Sequence, residues 1–171
     1  LEVITADLTH FQTTARFDRV VSVECLEHFR NHREVFRRIA SWLRDQGRCF
    51  IHIFTHRDQT YLFEDQGDDD WMSRHFFTGG MMPADAHVLH LQEHLRVEEH
   101  WRVSGHHYQR TAEHWLENLD RQRAACLAAL QADGLDPAAS RLQIARWRIF
   151  FMACAELWGF AGGSQWLVSH Y

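Results

Sequence analysis

The apolar and polar positions along the first third of the chain predict alternating strands and helices. Apolar residues at helical spacing favour an amphipathic helix, and short β-branched runs favour strands. The predicted elements are strands at 2–5, 18–24 and 48–54 and a helix at 31–44 that Gly47 stops. A strand, a helix and a second strand in this order predict a parallel sheet. Because Val20, Val21 and Val23 fill the run at 18–24, it fits a strand buried on both faces.

Beyond residue 56 the pattern becomes irregular and then helical. Residues 57–90 form a connection too long for an ordinary loop, which is typical of a functional segment. The remaining predicted elements are strands at 95–103 and 165–171 and helices at 111–132 and 138–158. The second of these helices is apolar nearly all round after Trp147, so we expect it in the interior of the protein.

The composition narrows the class of protein. A chain of 171 residues with 46% apolar residues is long enough to bury one core and form one domain. Its net charge of −5 argues against a nucleic-acid surface. The longest apolar stretch, residues 149–161, is too short to span a bilayer. The four cysteines form no CxxC pair, so we expect a reduced, cytoplasmic protein without a disulfide framework.

Two carboxylates and an imidazole follow the strand at 18–24. They are Glu24, Glu27 and His28. Ligands of open α/β sheets bind just past the carboxyl ends of the strands, so this group predicts a general-base cluster. The alternative is a polar loop whose Glu and His start the next helix, and the spacing alone leaves both interpretations open.

The 14 histidines raise the question of a metal site. His28 and His32 stand four residues apart, and His106 and His107 are adjacent. No HExxH motif or carboxylate partner completes a ligand set, so the sequence predicts no metal.

A series of short motifs, spread in order over nearly all of the chain, carries a family resemblance. They lie at 17–24 with Glu27 and His28, and at 52–56, 63–65, 69–74, 76–80 with Pro83, 105–108 and 155–160. With these motifs the chain resembles the cyclopropane-fatty-acid synthase superfamily of S-adenosylmethionine-dependent methyltransferases, in the branch that contains plant coclaurine N-methyltransferase.

The resemblance implies an α/β fold: the C-terminal part of a class I, Rossmann-like methyltransferase sheet with an inserted helical substrate cap. In that reading residues 1–56 are a partial cofactor-binding core and residues 57–95 a cap segment. Residues 96–171 carry the remaining strands with cap helices at 111–132 and 138–158. The family's glycine-rich cofactor loop has no counterpart here, since no GxGxG occurs, and we expect the chain to be part of a longer enzyme.

The resemblance also implies roles for individual residues. Glu27 and His28 match a base and a proton carrier, and Glu24 matches a residue that binds or orients an amine. Asp7 matches the residue that hydrogen-bonds the adenine amino group, although an N-cap is an equally simple role for it. Cofactor candidates are thus Asp7 and Glu24. Substrate-binding candidates are Trp71, Phe77, Trp158 and Phe160.

The implied cofactor is S-adenosylmethionine, and two acceptors remain open. One is a small-molecule amine. The other is a lipid acyl chain, for which the family uses bicarbonate held by residues that match Glu27, His52 and Tyr108. An added carboxylate at Glu24, where the lipid branch has Gly, would repel bicarbonate and favours the amine. The implied assembly is a homodimer, and a non-catalytic fragment is the third alternative.

Overall fold

The computed structural model describes residues 2–67, 70–77 and 79–171. Asp69 and Thr78, which belong to two of the resemblance motifs, lie outside the described residues. The strands are β1 (Phe17–Val23), β2 (Leu43–His56), β3 (Tyr61–Leu62), β4 (Met81–Met82), β5 (Trp101–Val103) and β6 (Trp166–His170). The helices are α1 (His32–Trp42), α2 (Trp71–His75), α3 (Gly105–Arg121), α4 (Arg123–Ala132) and α5 (Pro137–Gly159). Short 3₁₀ turns lie at Leu26–His28, Val88–His90 and Phe160–Gly162.

The central sheet has the strand order β1-β2-β6-β5, and its fold is α/β as expected. β1 runs parallel to β2, with Val23 opposite His52. β6 runs antiparallel to β2, with His170 opposite His52, and β5 runs antiparallel to β6. The register therefore places the ends of β1 and β6 on either side of His52.

The prediction that the first strand is buried on both faces is wrong. β1 lies at one edge of the described sheet, and Val21 and Val23 are 65% and 54% exposed. The strand itself is confirmed, since it pairs in parallel with β2 and its backbone hydrogen-bonding groups are satisfied along that side.

The helix predicted at 31–44 is confirmed as α1, but Gly47 does not stop it. Asn31 caps its N-terminus by accepting a hydrogen bond from the Glu34 N–H at 3.1 Å. The chain turns extended at Leu43 and enters β2 directly, so Gly47 lies inside that strand. A Cβ at Gly47 would lie 2.8 Å from the Arg44 carbonyl oxygen, which explains the glycine by close backbone approach rather than by helix termination.

Two of the predicted strands are corrected. Residues 2–5 form no strand, because no described strand lies beside them, and Val3 and Ile4 are 83% and 63% exposed. The strand predicted at 95–103 shortens to β5. Before it, the Val97 N–H donates to the Gln92 side chain at 2.9 Å, so this donor is not available to a strand ladder.

The helical half begins earlier than expected and is divided into three helices. The helix predicted at 111–132 begins earlier, where Ser104 caps α3, and breaks at Gln122 into α3 and α4. α5 matches its predicted bounds closely, with Asp136 accepting from the Ala138 and Ala139 N–H groups. It is not an interior helix, because α3 and α4 cover only one side and leave Ile149 and Met152 nearly half exposed.

The irregular segment at 57–90 is fastened to the sheet by Asp85, which is 1% exposed. Its carboxylate accepts hydrogen bonds from His100 at 2.8 Å, Arg102 at 2.7 Å and Ser169 at 2.6 Å. A buried carboxylate requires such partners.

Within the described ranges, no helix is both long and apolar enough to cross a membrane.

Gly105, at the start of α3, offers a test of the packing between α3, α5 and β6. A Cβ there would overlap the carbonyl oxygen of Trp166 and lie 2.6 Å from that of Trp158. Neither backbone group can move without disturbing its element, so Gly105→Ala is expected to lower the free energy of unfolding by about 1–3 kcal/mol. Urea denaturation of the purified protein measures this change.

The matched control is Gly67→Ala, because a Cβ at Gly67 meets nothing within 4 Å. Equal stability of the two variants would show that the three elements do not pack as closely as described.

Candidate functional site

Glu24 follows β1 directly and adopts a backbone conformation that is rare for this residue type. Its φ is 48°, in the left-handed region, and its N–H donates to the His52 carbonyl at 3.2 Å. Such a conformation costs of order 1–3 kcal/mol and persists only where neighbouring contacts hold it. In this conformation the Glu24 side chain contacts His52 and Tyr108.

The Glu24 carboxylate meets two side chains from distant parts of the chain. The Tyr108 hydroxyl, on α3, donates to Oε2 at 3.1 Å. His52 Nε2, on β2, lies 3.0 Å from Oε1. Burial, and then the charge of Glu24, raises the pKa of Tyr108 well above its usual range, so this hydroxyl stays a donor. Oε1 is buried and accepts no aligned hydrogen bond, which leaves it able to accept one from a ligand.

Glu27 lies on the Leu26–His28 turn and is only 2% exposed. Its Oε2 atom is buried and has no hydrogen-bond partner, while Oε1 lies 3.7 Å from Nε2 of the half-exposed His28. Burial, opposed by a backbone hydrogen bond and assisted by the charge of Glu24, raises the pKa of Glu27 to about 7. A carboxyl with a pKa near neutrality is suited to exchange protons at physiological pH.

The turn that carries Glu27 is held from two sides. His32, itself buried, places Nε2 2.8 Å from the Leu26 carbonyl oxygen, so this nitrogen carries the proton and donates. On the other side Gly80 packs so closely that a Cβ would lie 2.6 Å from the Glu27 carbonyl oxygen. His28 and His32 thus have separate environments, and no group of three or more metal-ligating side chains occurs in the described ranges.

Aromatic rings line the site beside the two carboxylates. Tyr108 stacks on Trp158 with ring centroids 4.6 Å apart, and Trp158 meets Phe54 at 5.7 Å. Phe54 in turn contacts Phe77 at 6.0 Å. Trp158 is 2% exposed, yet its Nε1–H has no partner. These rings form an apolar side of the site, and the Trp158 Nε1–H beside them is free to donate a hydrogen bond.

The structure brings most of the site residues named from the sequence into one place. Glu24, His52 and Tyr108 are in direct contact, Trp158 stacks on Tyr108, and His28 adjoins Glu27. Phe77 contacts Phe54, which in turn contacts Trp158.

Three of the named residues lie elsewhere. Trp71 packs on His75 and Phe76, and Phe160 is 57% exposed and contacts Trp166. Asp7 ends no strand: its exposed carboxylate accepts from the Thr9 N–H at 2.8 Å and caps a turn.

His170 is the site residue that the sequence did not reveal. Its Nε2 lies 2.9 Å from Nδ1 of His52, on the side of that ring opposite Glu24. The two histidines are 118 positions apart, and only the β2–β6 register places them together. The sequence places His52 and His170 in two predicted strands, but it does not indicate that these strands pair.

Comparison with known proteins confirms the family resemblance. The family model described as "Mycolic acid cyclopropane synthetase" matches residues 1–161. The chain is 30% identical over 172 residues to (S)-coclaurine N-methyltransferase of Papaver somniferum, covering 99% of this chain and 49% of that protein. It is 26% identical over 171 residues to pavine N-methyltransferase of Thalictrum flavum subsp. glaucum, covering 99% and 48%. The chain thus spans about half the length of these relatives.

Solved structures give the same result. A coclaurine N-methyltransferase bound to N-methylheliamine and SAH superposes with a TM-score of 0.89 at 31% identity, covering 99% of this chain and 51% of that one. A cyclopropane synthase from Mycobacterium tuberculosis superposes with a TM-score of 0.68 at 20% identity, covering 92% and 55%, and shows the shared fold.

The raised pKa of Glu27 predicts a specific pH dependence of stability. Between the ordinary value of 4.5 and about 7, the folded protein keeps a proton on Glu27 that the unfolded chain has released. Stability therefore falls as the pH rises through this window. Glu27→Gln removes the penalty and is expected to stabilise the protein at pH 8 by on the order of 2 kcal/mol, with little effect at pH 4.5.

Urea denaturation at the two pH values measures the difference. Glu117→Gln, which removes an exposed carboxyl of α3, is the matched control for the loss of one negative charge. A Glu27→Gln variant that is equally or less stable than the parent at pH 8 would contradict the burial of an unpartnered carboxyl.

Proposed function

Since the chain belongs to the mycolic acid cyclopropane synthetase family, we propose that the protein is an S-adenosylmethionine-dependent methyltransferase that acts on a small-molecule amine. Relatives named (S)-coclaurine and pavine N-methyltransferase support an amine nitrogen as the acceptor. The solved relative with bound N-methylheliamine and SAH supports the same acceptor and cofactor.

The observation that carries the proposal is the buried Glu27 Oε2 atom, which has no hydrogen-bond partner. It lies in the same site as Glu24 Oε1, which has His52 Nε2 at 3.0 Å but accepts no aligned hydrogen bond. Orphaned acceptors are costly unless a donor occupies the site for at least part of the working cycle. A protonated amine supplies both N–H donors and a positive charge. The Trp158 and Tyr108 rings beside it add a surface that attracts cations.

The same contacts disfavour bicarbonate and hence the lipid alternative. Tyr108 and His52, the two donors that a bicarbonate would need, already face Glu24 at 3.1 Å and 3.0 Å. A second anion placed here would meet the Glu24 carboxylate and the orphaned oxygen of Glu27. The site accordingly selects a cation over an anion.

The cofactor fits this site by charge, because a sulfonium is positive and the available groups are carboxylates. When bound, S-adenosylmethionine supplies an activated methyl group. Glu24, or the segment around it, is the part of this chain that would face the sulfonium. Asp7 is proposed to accept from the adenine amino group; its carboxylate is exposed and accepts hydrogen bonds from the Thr9 N–H and hydroxyl.

Each residue of the site then has a separate role in binding and deprotonating the amine. Glu24 holds the ammonium by charge and orients it. Glu27, with its pKa near 7, takes the proton that the nitrogen must lose before it can attack. The half-exposed His28, 3.7 Å from Glu27, carries that proton to solvent. In this proposal the 57–95 segment and helices α3 to α5 supply the acceptor side through Phe77, Tyr108 and Trp158.

The acceptor class is tested by offering two acceptors at once. The purified protein is incubated with methyl-labelled S-adenosylmethionine, a panel of secondary amines and unsaturated phospholipid vesicles. We expect label in the amine fraction. Label that appears in the lipid fraction instead would overturn the amine proposal and return bicarbonate chemistry to Glu27, His52 and Tyr108.

The role of Glu27 is tested by Glu27→Gln, which keeps the size of the side chain and removes the base. Turnover of the amine is expected to fall at least about tenfold, a threshold set below the roughly 100- to 10,000-fold that general acid–base catalysis typically contributes. In the parent, kcat/KM is expected to rise with pH through about 7, because Glu27 must be unprotonated to act.

Glu117→Gln serves again as the control and keeps full turnover. If Glu27→Gln turns over at the parent rate, with the same pH profile, Glu27 has no part in the reaction.

A further inference from the structure

His32 begins helix α1 and lies directly behind the Leu26–His28 turn. Its ring is only 2% exposed and meets the ring of His87 edge-on, with centroids 5.0 Å apart. Nε2 of His32 lies 2.8 Å from the Leu26 carbonyl oxygen, and Nδ1 lies 3.0 Å from His87 Nε2. Both ring nitrogens are therefore engaged, one with the turn and the other with the 57–90 segment.

The donor role of His32 Nε2 is the same in both charge states of the ring. A carbonyl oxygen only accepts, so the nitrogen that faces the Leu26 oxygen carries a hydrogen whether the imidazole is neutral or protonated. His87 suits either state, because its Nε2 can donate to a neutral His32 or accept from a protonated one. Burial, opposed by hydrogen bonds with the Leu26 and Phe29 carbonyls, lowers the pKa of His32, and both forms keep the contact with Leu26.

This contact fixes the peptide group from which Glu27 starts. The Leu26 carbonyl and the Glu27 nitrogen belong to one planar unit, so a carbonyl held in place also fixes that plane. The same oxygen accepts from the Phe29 N–H at 3.0 Å, which uses its second lone pair. The peptide group that follows Glu27 is confined by Gly80, where a Cβ would lie 2.6 Å from the Glu27 carbonyl oxygen. Glu27 thus lies between two restrained peptide groups.

His87 in turn is held by the sheet. Two residues before it, the buried carboxylate of Asp85 accepts from Arg102 on β5 and Ser169 on β6. The His32 ring therefore has a fixed partner at each nitrogen, and it cannot rotate without breaking one of the two contacts.

We propose that His32 is a positioning residue for the reaction: backed by His87, it holds the peptide group before Glu27 and so keeps the Glu27 carboxyl enclosed, where it serves as the base. This inference rests on the proposed amine methyltransferase function and adds to it a residue that acts through Glu27. Without the contact to Leu26, the turn is free to rotate Glu27 outwards, where water hydrates its carboxylate and makes it a weaker base.

The charged and titratable neighbours of Glu27 stay the same when His32 is replaced. They are Glu24, Cys25, His28 and Tyr108. His32 itself faces His87. A change in the titration of Glu27 that follows replacement of His32 therefore reports a change in the position of the Glu27 carboxyl.

The test compares His32→Gln with His32→Asn in the purified protein. Glutamine places its amide N–H near the position of Nε2 and reaches the Leu26 carbonyl, whereas asparagine places the same amide near Nδ1 and does not. We expect His32→Asn to lower kcat about tenfold, with KM changed less than about twofold, and His32→Gln to keep most of the parental kcat. His114→Gln, at an exposed position of α3, is the control and keeps the parental values.

The ionisation of Glu27 supplies a readout that a purely structural role would not move. Followed through the ¹³C resonance of the carboxyl, the pKa is expected near 7 in the parent and in His32→Gln, and closer to the ordinary value of 4.5 in His32→Asn. Equal kcat and an equal titration of Glu27 in the two variants would overturn the proposal.

The parent protein gives a second measurement that does not depend on the folding of a variant. The ¹⁵N resonances of the His32 ring are expected to show a proton on Nε2. A bare Nε2 has nothing to donate to the Leu26 carbonyl and would overturn the inference even if amine turnover is confirmed. A lack of amine turnover would remove the proposed function, while the ¹³C and ¹⁵N spectra still decide whether His32 positions Glu27.

Discussion

The site depends on the register in which β1 pairs with β2. That register sets Val23 opposite His52, and the Glu24 N–H then donates to the His52 carbonyl as the chain leaves the strand. Glu24 has a left-handed backbone at this point, and its carboxylate lies 3.0 Å from the imidazole. A slip of one residue in β2 would send His52 to the other face of the sheet. The same register, through β6, places His170 behind it.

Different environments separate the two carboxyls chemically. Glu24 has a hydroxyl donor and an imidazole beside it, whereas Glu27 is only 2% exposed and has a pKa of about 7. Two neighbouring carboxyls in unlike surroundings are an arrangement that lets one hold charge while the other exchanges a proton. In the proposed function, the unpartnered oxygen of Glu27 and the charge of Glu24 favour a positively charged donor. The His52 imidazole and the Tyr108 hydroxyl lie directly against the Glu24 carboxylate.

The parts of this arrangement that are local in the chain were predictable. The β1 strand, helix α1 with its Asn31 cap and the long helix α5 follow from apolar spacing and capping residues. The placement of Glu24, Glu27 and His28 just past a strand follows from their spacing. The edge position of β1, the contact of Tyr108 with Glu24 and the pairing of His52 with His170 were not predictable from pattern, because each depends on which elements become neighbours. Pattern alone was also misleading at residues 2–5. Their short apolar run predicted a strand that ends at Asp7, but no described strand lies beside them and Val3 and Ile4 are exposed.

The central claim is that the neighbouring carboxylates of Glu24 and Glu27 select a cation. Calorimetric titration of the purified protein with a secondary amine, and with the N-acyl derivative of that amine as its uncharged counterpart, tests it most directly. The account predicts that the amine binds at least about tenfold more tightly, a difference of about 1.4 kcal/mol, and that bicarbonate does not compete with it. Equal binding of the two compounds, or displacement of the amine by bicarbonate, would contradict it.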